Sequence, residues 1–131
     1  MKELKKLLKE RLSSIEDAYR ETELPKIDFT VYPEKMREHQ EADYNAKVIV
    51  EAARNIEKEC GLGEIDWSDS NQLKWTPWFW MRPSAFAFGH SYFDYTTADA
   101  GSGSRLRVLS EVAADHIGKT FPEVWEAVQL K

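Results

Sequence analysis

Apolar positions first repeat at helical spacing near the start of the chain. Leucine and isoleucine recur at steps of three and four through a run rich in Lys and Glu, at Leu4, Leu7, Leu8, Leu12 and Ile15. This pattern predicts an amphipathic N-terminal helical region over residues 1–24. Serine is a favoured N-cap residue, so Ser14 could divide the region into two helices, and Pro25 limits its end.

A second apolar face at helical spacing lies in the middle of the chain. Its members follow steps of four, three, four, three and four, at Ala42, Ala46, Ile49, Ala53, Ile56 and Cys60. They predict a helix over 41–60 with its start near Glu34. Gly61 suits the left-handed position just after a helix end.

The C-terminal segment returns to helical phase over residues 110–130. Apolar side chains share one face at Val112, Ala113, Ile117, Phe121, Val124, Trp125 and Val128. Pro122 conflicts with a straight helix, because its ring meets the carbonyl of Gly118 four residues earlier. We therefore predict a kinked C-terminal helix, with the kink or break between these two residues.

Between the central and C-terminal helices the apolar period changes to two. One face of an extended segment carries Leu73, Trp75, Phe79 and Met81, and the other carries Lys74, Thr76, Trp78, Trp80 and Arg82. After a turn at Pro83 and Ser84, a second strand alternates with Phe86, Phe88, His90 and Tyr92 on one face. A third strand is expected over 105–109, and the alternating segment 27–32 could add a fourth at an edge.

These elements together predict a single α+β domain spanning residues 1–131. A three- to four-stranded antiparallel sheet, with its meander over 73–109, would be packed by the N-terminal, central and C-terminal helices. A chain of this length can bury a continuous core without disulfides or a metal.

Ten of the sixteen aromatic residues fall between Trp67 and Tyr95, which makes this stretch the first place to look for a binding surface. If helices cover the Trp75 face of the sheet, then Trp78 and Trp80 lie on the other side, among cationic residues. Two interpretations stay open. Either a second layer buries these tryptophans, or they form a surface for a partner.

Composition narrows the function classes. The chain has one cysteine, no apolar leader and no long apolar run, which predicts a cytoplasmic protein without membrane association. A net charge of −5 argues against nucleic-acid binding, although residues 1–12 hold five basic against two acidic side chains. Neither zinc-ligand spacing nor a phosphate-binding loop motif is present, so no metal or cofactor is expected.

The polar residues nearest the aromatic stretch offer one enzymatic alternative. Arg82, His90, Asp94 and Arg105 are the best polar constellation, but general acid/base chemistry would also need a pocket and mutual contact. We favour a nonenzymatic binding or accessory module, with an unknown protein partner or a homo-oligomer. Its candidate binding residues are Trp78, Trp80, Arg82, His90, Asp94 and Arg105, and a small enzyme is the alternative.

Several short motifs give a family resemblance. They are Asp66-Trp67 with Lys74 and Pro77-Trp78-Phe79, then Gly103-Ser104-Arg105-Leu106, and finally Ser110 with Ala114, Gly118, Lys119 and Phe121. With these motifs the chain resembles a group of small uncharacterised proteins found in phages and prophages of gut bacteria. The resemblance spans nearly the whole chain. It implies a mobile-element context and no particular activity.

Overall fold

The computed structural model describes residues 1–69, 71–82, 85–94 and 106–130. It leaves undescribed the side chains of Trp80, Met81, Arg82, Ala85, Ala87, His90, Tyr92, Asp94 and Leu130. Helices and an antiparallel hairpin make up the described part, which confirms the α+β class. The elements are α1 (Lys2–Arg11), α2 (Ile15–Thr22), a 3₁₀ turn (Phe29–Val31), α3 (Glu34–Glu59), β1 (Lys74–Arg82), β2 (Ala85–Asp94), α4 (Glu111–Thr120) and α5 (Pro122–Leu130).

The N-terminal region divides into two helices at Ser14, as its sequence predicts. The Ser14 hydroxyl accepts a hydrogen bond from the backbone N–H of Asp17 at 3.1 Å, which satisfies one free donor at the start of α2. The leucine stripe of α1 is buried at Leu4, Leu8 and Leu12, and α1 contacts both α3 and α4. Burial of the stripe fixes α1 on the rest of the fold.

Helix α3 forms the centre of the helical layer. The predicted apolar face is buried at Ala42, Ala46, Ile49, Ala53 and Ile56. Helix α3 contacts each of the four other described helices. It ends at Glu59, and Gly61 follows with a φ of 93°, the left-handed conformation that its position predicts.

Helices α4 and α5 lie between the hairpin and α3. Both contact β2 and α3, and α4 also contacts β1. The C-terminal helices therefore make the direct contacts to the sheet. The sequence predicts that the 41–60 helix would also pack against the sheet, but α3 contacts α4 and α5 instead. The predicted break is confirmed, since α4 ends at Thr120 and α5 begins at Pro122.

The hairpin pairs β1 with β2 in antiparallel register and contains a bulge at Gly89. Trp78 is paired with His90, but the next residue, Phe79, is paired with Phe88, so Gly89 has no partner on β1. Strict alternation along β2 therefore fails at this point. On the helix side of the sheet, Phe86 and Phe88 are followed beyond the bulge by Ser91 and Phe93. Strict alternation without the bulge would place His90 and Tyr92 at those two positions.

The described part of the sheet has two strands, not the three or four that the sequence predicts. The expected third strand is reduced there to one bridge, in which Trp75 and Val108 exchange backbone hydrogen bonds of 2.7 and 2.9 Å. Arg105, at the start of that predicted strand, lies outside the described residues.

The prediction of a strand over 27–32 is wrong, since residues 29–31 form a 3₁₀ turn. The side chain of Asp28 accepts a hydrogen bond from the N–H of Thr30, and Arg37 of α3 donates to the carbonyls of Thr30 and Tyr32. These side-chain bonds engage the backbone groups that a strand partner would need.

Candidate functional site

The face of the hairpin that points away from α4 is the main candidate for a binding surface. On the helix side, α4 approaches so closely that a Cβ placed on Gly118 would lie 2.7 Å from Phe88 Cε1 and 2.9 Å from Pro77 Cβ. Trp78, the next residue of β1, is 54% exposed. We call the side of β1 that carries Thr76 and Trp78 the outer face.

Aromatic side chains pack together on the opposite, inner face of the hairpin. The ring of Phe79 stacks on Phe86 with a centroid distance of 4.8 Å and lies 5.9 Å from Trp125 of α5. Trp75 meets Phe93 edge to face at 5.1 Å. The prediction that Trp75 and Phe79 belong to the core face is therefore confirmed, and the outer face rests on a well-packed support.

One end of the outer face is closed by the loop that precedes β1. Lys74 is fully buried, and its ammonium donates to the carbonyls of Asp69 and Gln72 at 3.2 and 3.1 Å. The Trp67 ring lies 5.8 Å from the same ammonium, in a cation–π arrangement. This cage satisfies the buried charge of Lys74 locally.

Several of the motif residues behind the family resemblance thus have identified contacts. Trp67 covers Lys74, Pro77 lies against Gly118, and Lys119 lies 5.6 Å above the ring of Phe88. Ser110 is the N-cap of α4. Trp78 differs from these residues because half of its side chain faces solvent, although it belongs to the same Pro-Trp-Phe motif.

The hairpin register locates the other predicted site residues along the sheet. His90 is paired with Trp78, whereas Asp94 is paired with Lys74 at the open end and Arg82 with Ala85 at the turn. The side chains of Trp80, Arg82, His90 and Asp94 are not described, and neither is Arg105. Lys74 and Arg82 are eight positions apart on β1, roughly 26 Å at about 3.3 Å per residue. The register therefore does not bring Arg82 and Asp94 into one pocket.

A second candidate region is a groove of about 540 Å³ between α1 and α4. It is lined by Lys5, Lys9, Ser13, Val112, Asp115, His116, Lys119 and Thr120. The sequence shows the basic excess of residues 1–12, but not that α1 lies beside α4. That contact depends on tertiary packing of the leucine stripe.

His116 ties the two walls of this groove together. Its Nε2 lies 2.5 Å from the carbonyl oxygen of Leu12, and since a carbonyl only accepts, Nε2 carries the hydrogen. Burial lowers the pKa of His116 from its ordinary 6.5, and the charge of Lys9 lowers it further, although the bond to Leu12 raises it. The neutral ring is therefore favoured at neutral pH.

The described residues show neither a metal centre nor a membrane span. No group of three or more His, Cys, Asp or Glu side chains there could hold a metal ion. No described helix is long and apolar enough to cross a bilayer.

No protein-family model, curated protein or solved structure matches the chain. Any proposal on function therefore rests on the geometry of these two surfaces.

Proposed function

We propose that this chain is a nonenzymatic binding or accessory module that contacts a protein partner through the outer face of its hairpin, centred on Trp78. The phage-like context that its motifs suggest belongs to the same proposal. The observation that carries it is the exposure of Trp78 on a sheet whose other face is packed by helices. A large exposed aromatic on a firm support is typical of interface hot spots.

The surroundings of Trp78 favour binding with a small entropy cost. Its neighbour Pro77 is buried against α4, and Trp75 is fixed by the bridge to Val108. At the far end, Lys74 is fixed by its cage. Because these contacts fix the backbone from Lys74 to Pro77, directly before Trp78, a partner would have to order little of this strand.

A second copy of the chain is the partner that we propose first. Strand β1 pairs with β2 along its whole length, and on its other side only Trp75 has a described backbone bridge. An outer face with an aromatic centre can meet its own copy about a two-fold axis, because an isologous interface is self-complementary. The hairpins would then pack face to face around the two Trp78 rings.

Sedimentation equilibrium of wild type, Trp78→Ser and Val31→Ser tests this proposal. Val31 is the matched control, because it is an exposed apolar residue, 78% accessible, in the 3₁₀ turn and not in the hairpin. We expect the wild type to dimerise, Trp78→Ser to weaken the dimer about tenfold or more, and Val31→Ser to leave it unchanged. A wild type that stays monomeric at all soluble concentrations rejects self-association. A dimer lost only in Val31→Ser rejects the outer face.

A further inference from the structure

The groove between α1 and α4 brings two rows of mostly polar side chains together. Lys5, Lys9 and Ser13 follow one another at steps of four along one side of α1 and the turn after it. Opposite them, the α4 row is spaced by three, one, three and one, at Val112, Asp115, His116, Lys119 and Thr120. Each row is therefore one face of a helix, and the two faces converge on one space.

No carboxylate of the described residues neutralises the three lysines of the groove. In the described part of the chain, no Asp or Glu oxygen lies within 4.0 Å of the ammonium of Lys5, Lys9 or Lys119. By contrast, Lys6, one position from Lys5, reaches Glu10 at 4.0 Å on another side of α1. No described carboxylate therefore competes with a ligand for the charge of these lysines.

Among the described residues that line the groove, the one carboxylate is already engaged. Asp115 accepts a hydrogen bond from the Ser91 hydroxyl of β2 at 2.6 Å. Its single negative charge stands against the three lysines, so the groove is locally positive in a chain with a net charge of −5. A concave region with a local positive charge attracts small anions, even when the net charge of the chain is negative.

The walls of the groove are also fixed in position. The bond between His116 and the carbonyl of Leu12 joins the end of α1 to α4 at the groove. Lys119 is restrained by its place above the Phe88 ring, and α1 is anchored by its buried leucines. Lysines on two fixed walls can bind one anion from both sides.

We propose that this groove binds a small molecule that carries a phosphate or pyrophosphate group. Lysine is a common phosphate ligand that acts as a point charge, and the hydroxyl of Thr120 can donate to a phosphate oxygen, whereas the Ser13 hydroxyl donates to the carbonyl of Lys9. The volume of about 540 Å³ lies within the range of small-molecule sites. A long nucleic acid fits less well, since it would extend beyond the groove over a chain of net negative charge.

Isothermal titration calorimetry of the full chain with pyrophosphate at low salt tests the proposal. Lys9→Gln and Lys119→Gln should each weaken binding about tenfold, because each removes a charge-assisted contact. Lys6→Gln is the matched control, as it removes the same charge from the same helix outside the groove, and it should change the affinity less than twofold. These lysines are exposed, so the melting temperature of each variant should match the wild type.

Three results would overturn the proposal. The first is that pyrophosphate shows no saturable binding, or no more heat than sodium acetate at the same ionic strength. The second is that Lys6→Gln weakens binding as much as Lys9→Gln, which would indicate a general charge effect. The third is that a single-stranded oligonucleotide binds more tightly than pyrophosphate and displaces it, which would assign the groove to a nucleic-acid backbone.

Discussion

The carboxylate of Glu57 accepts a hydrogen bond from the hydroxyl of Ser110 at 2.6 Å, although 53 positions separate the two residues. The backbone N–H of Leu109 donates to the same carboxylate, at 2.9 and 3.0 Å from its two oxygens. Ser110 in turn accepts from the N–H of Ala113 as the N-cap of α4. A fully buried carboxylate of α3 thus fixes the start of α4, just after the bridge at Val108.

Removal of the Glu57 carboxylate should destabilise the fold strongly. Glu57→Ala leaves the N–H of Leu109 and the hydroxyl of Ser110 buried without their acceptor, which costs about 2–4 kcal/mol of unfolding free energy. Glu57→Gln keeps one acceptor oxygen and should cost less. Urea denaturation measures both, with the exposed Glu51→Ala on the same helix as control. An equal loss in Glu51→Ala would contradict this role for Glu57.

The contribution of Glu57 should also depend on pH. Burial, the largest cause, raises the pKa of Glu57 above its ordinary 4.5, against the lowering effect of its hydrogen bonds to Ser110 and Leu109. Because the folded state then holds the proton more tightly than the unfolded state, the stabilising effect is complete below about pH 4.5 and is lost as pH rises through the folded pKa.

Denaturation of wild type and Glu57→Gln from about pH 4 to about pH 8 tests this dependence, because Gln does not titrate. The unfolding free energy of wild type minus that of the variant should fall as pH rises. A difference that grows with pH would show that the carboxylate is stabilised as an anion instead.

Gly118 should not tolerate even a methyl group. A Cβ at this position would lie within 3 Å of both Phe88 and Pro77. Overpacking of this kind costs about 1–3 kcal/mol, which offsets the roughly 1 kcal/mol that alanine gains over glycine in a helix. We expect Gly118→Ala to lower the unfolding free energy and Phe88→Leu to relieve part of that loss. A double-mutant cycle measures the coupling, and simple additivity would contradict the proposed contact.

His116 should report on the charge of the groove without any ligand. Lys9 lowers the pKa of His116, so Lys9→Gln should move its titration midpoint upward, toward 6.5. Lys5, Lys119 and Asp115 also line the groove, and their charges are unchanged in this variant. Proton NMR of the imidazole over pH measures the midpoint, with Lys6→Gln as control. A downward shift, or an equal one in the control, would contradict the geometry.

Part of the candidate site could be predicted because aromatic residues are concentrated between Trp67 and Tyr95. Whether Trp78 is exposed could not be predicted, since a period of two shows that two faces exist and not which one a helix covers. The bulge at Gly89 could not be predicted from the sequence either, because one unpaired residue changes the strand register without changing the composition. The alternation in 27–32 was misleading, as local bonds from Asp28 and Arg37 outcompete strand pairing in a short segment.

The sequence by itself determined the helices and their breaks. Ser14, Gly61 and Pro122 act through local backbone geometry, which needs no distant partner, and the apolar faces of α1 and α3 follow from helical period alone. Tertiary structure alone decided the contacts across long separations. Examples are Glu57 with Ser110, the groove between α1 and α4, and the burial of Lys74. These long-range contacts depend on which surfaces meet when the apolar faces are buried. The local order of residues does not specify which surfaces those are.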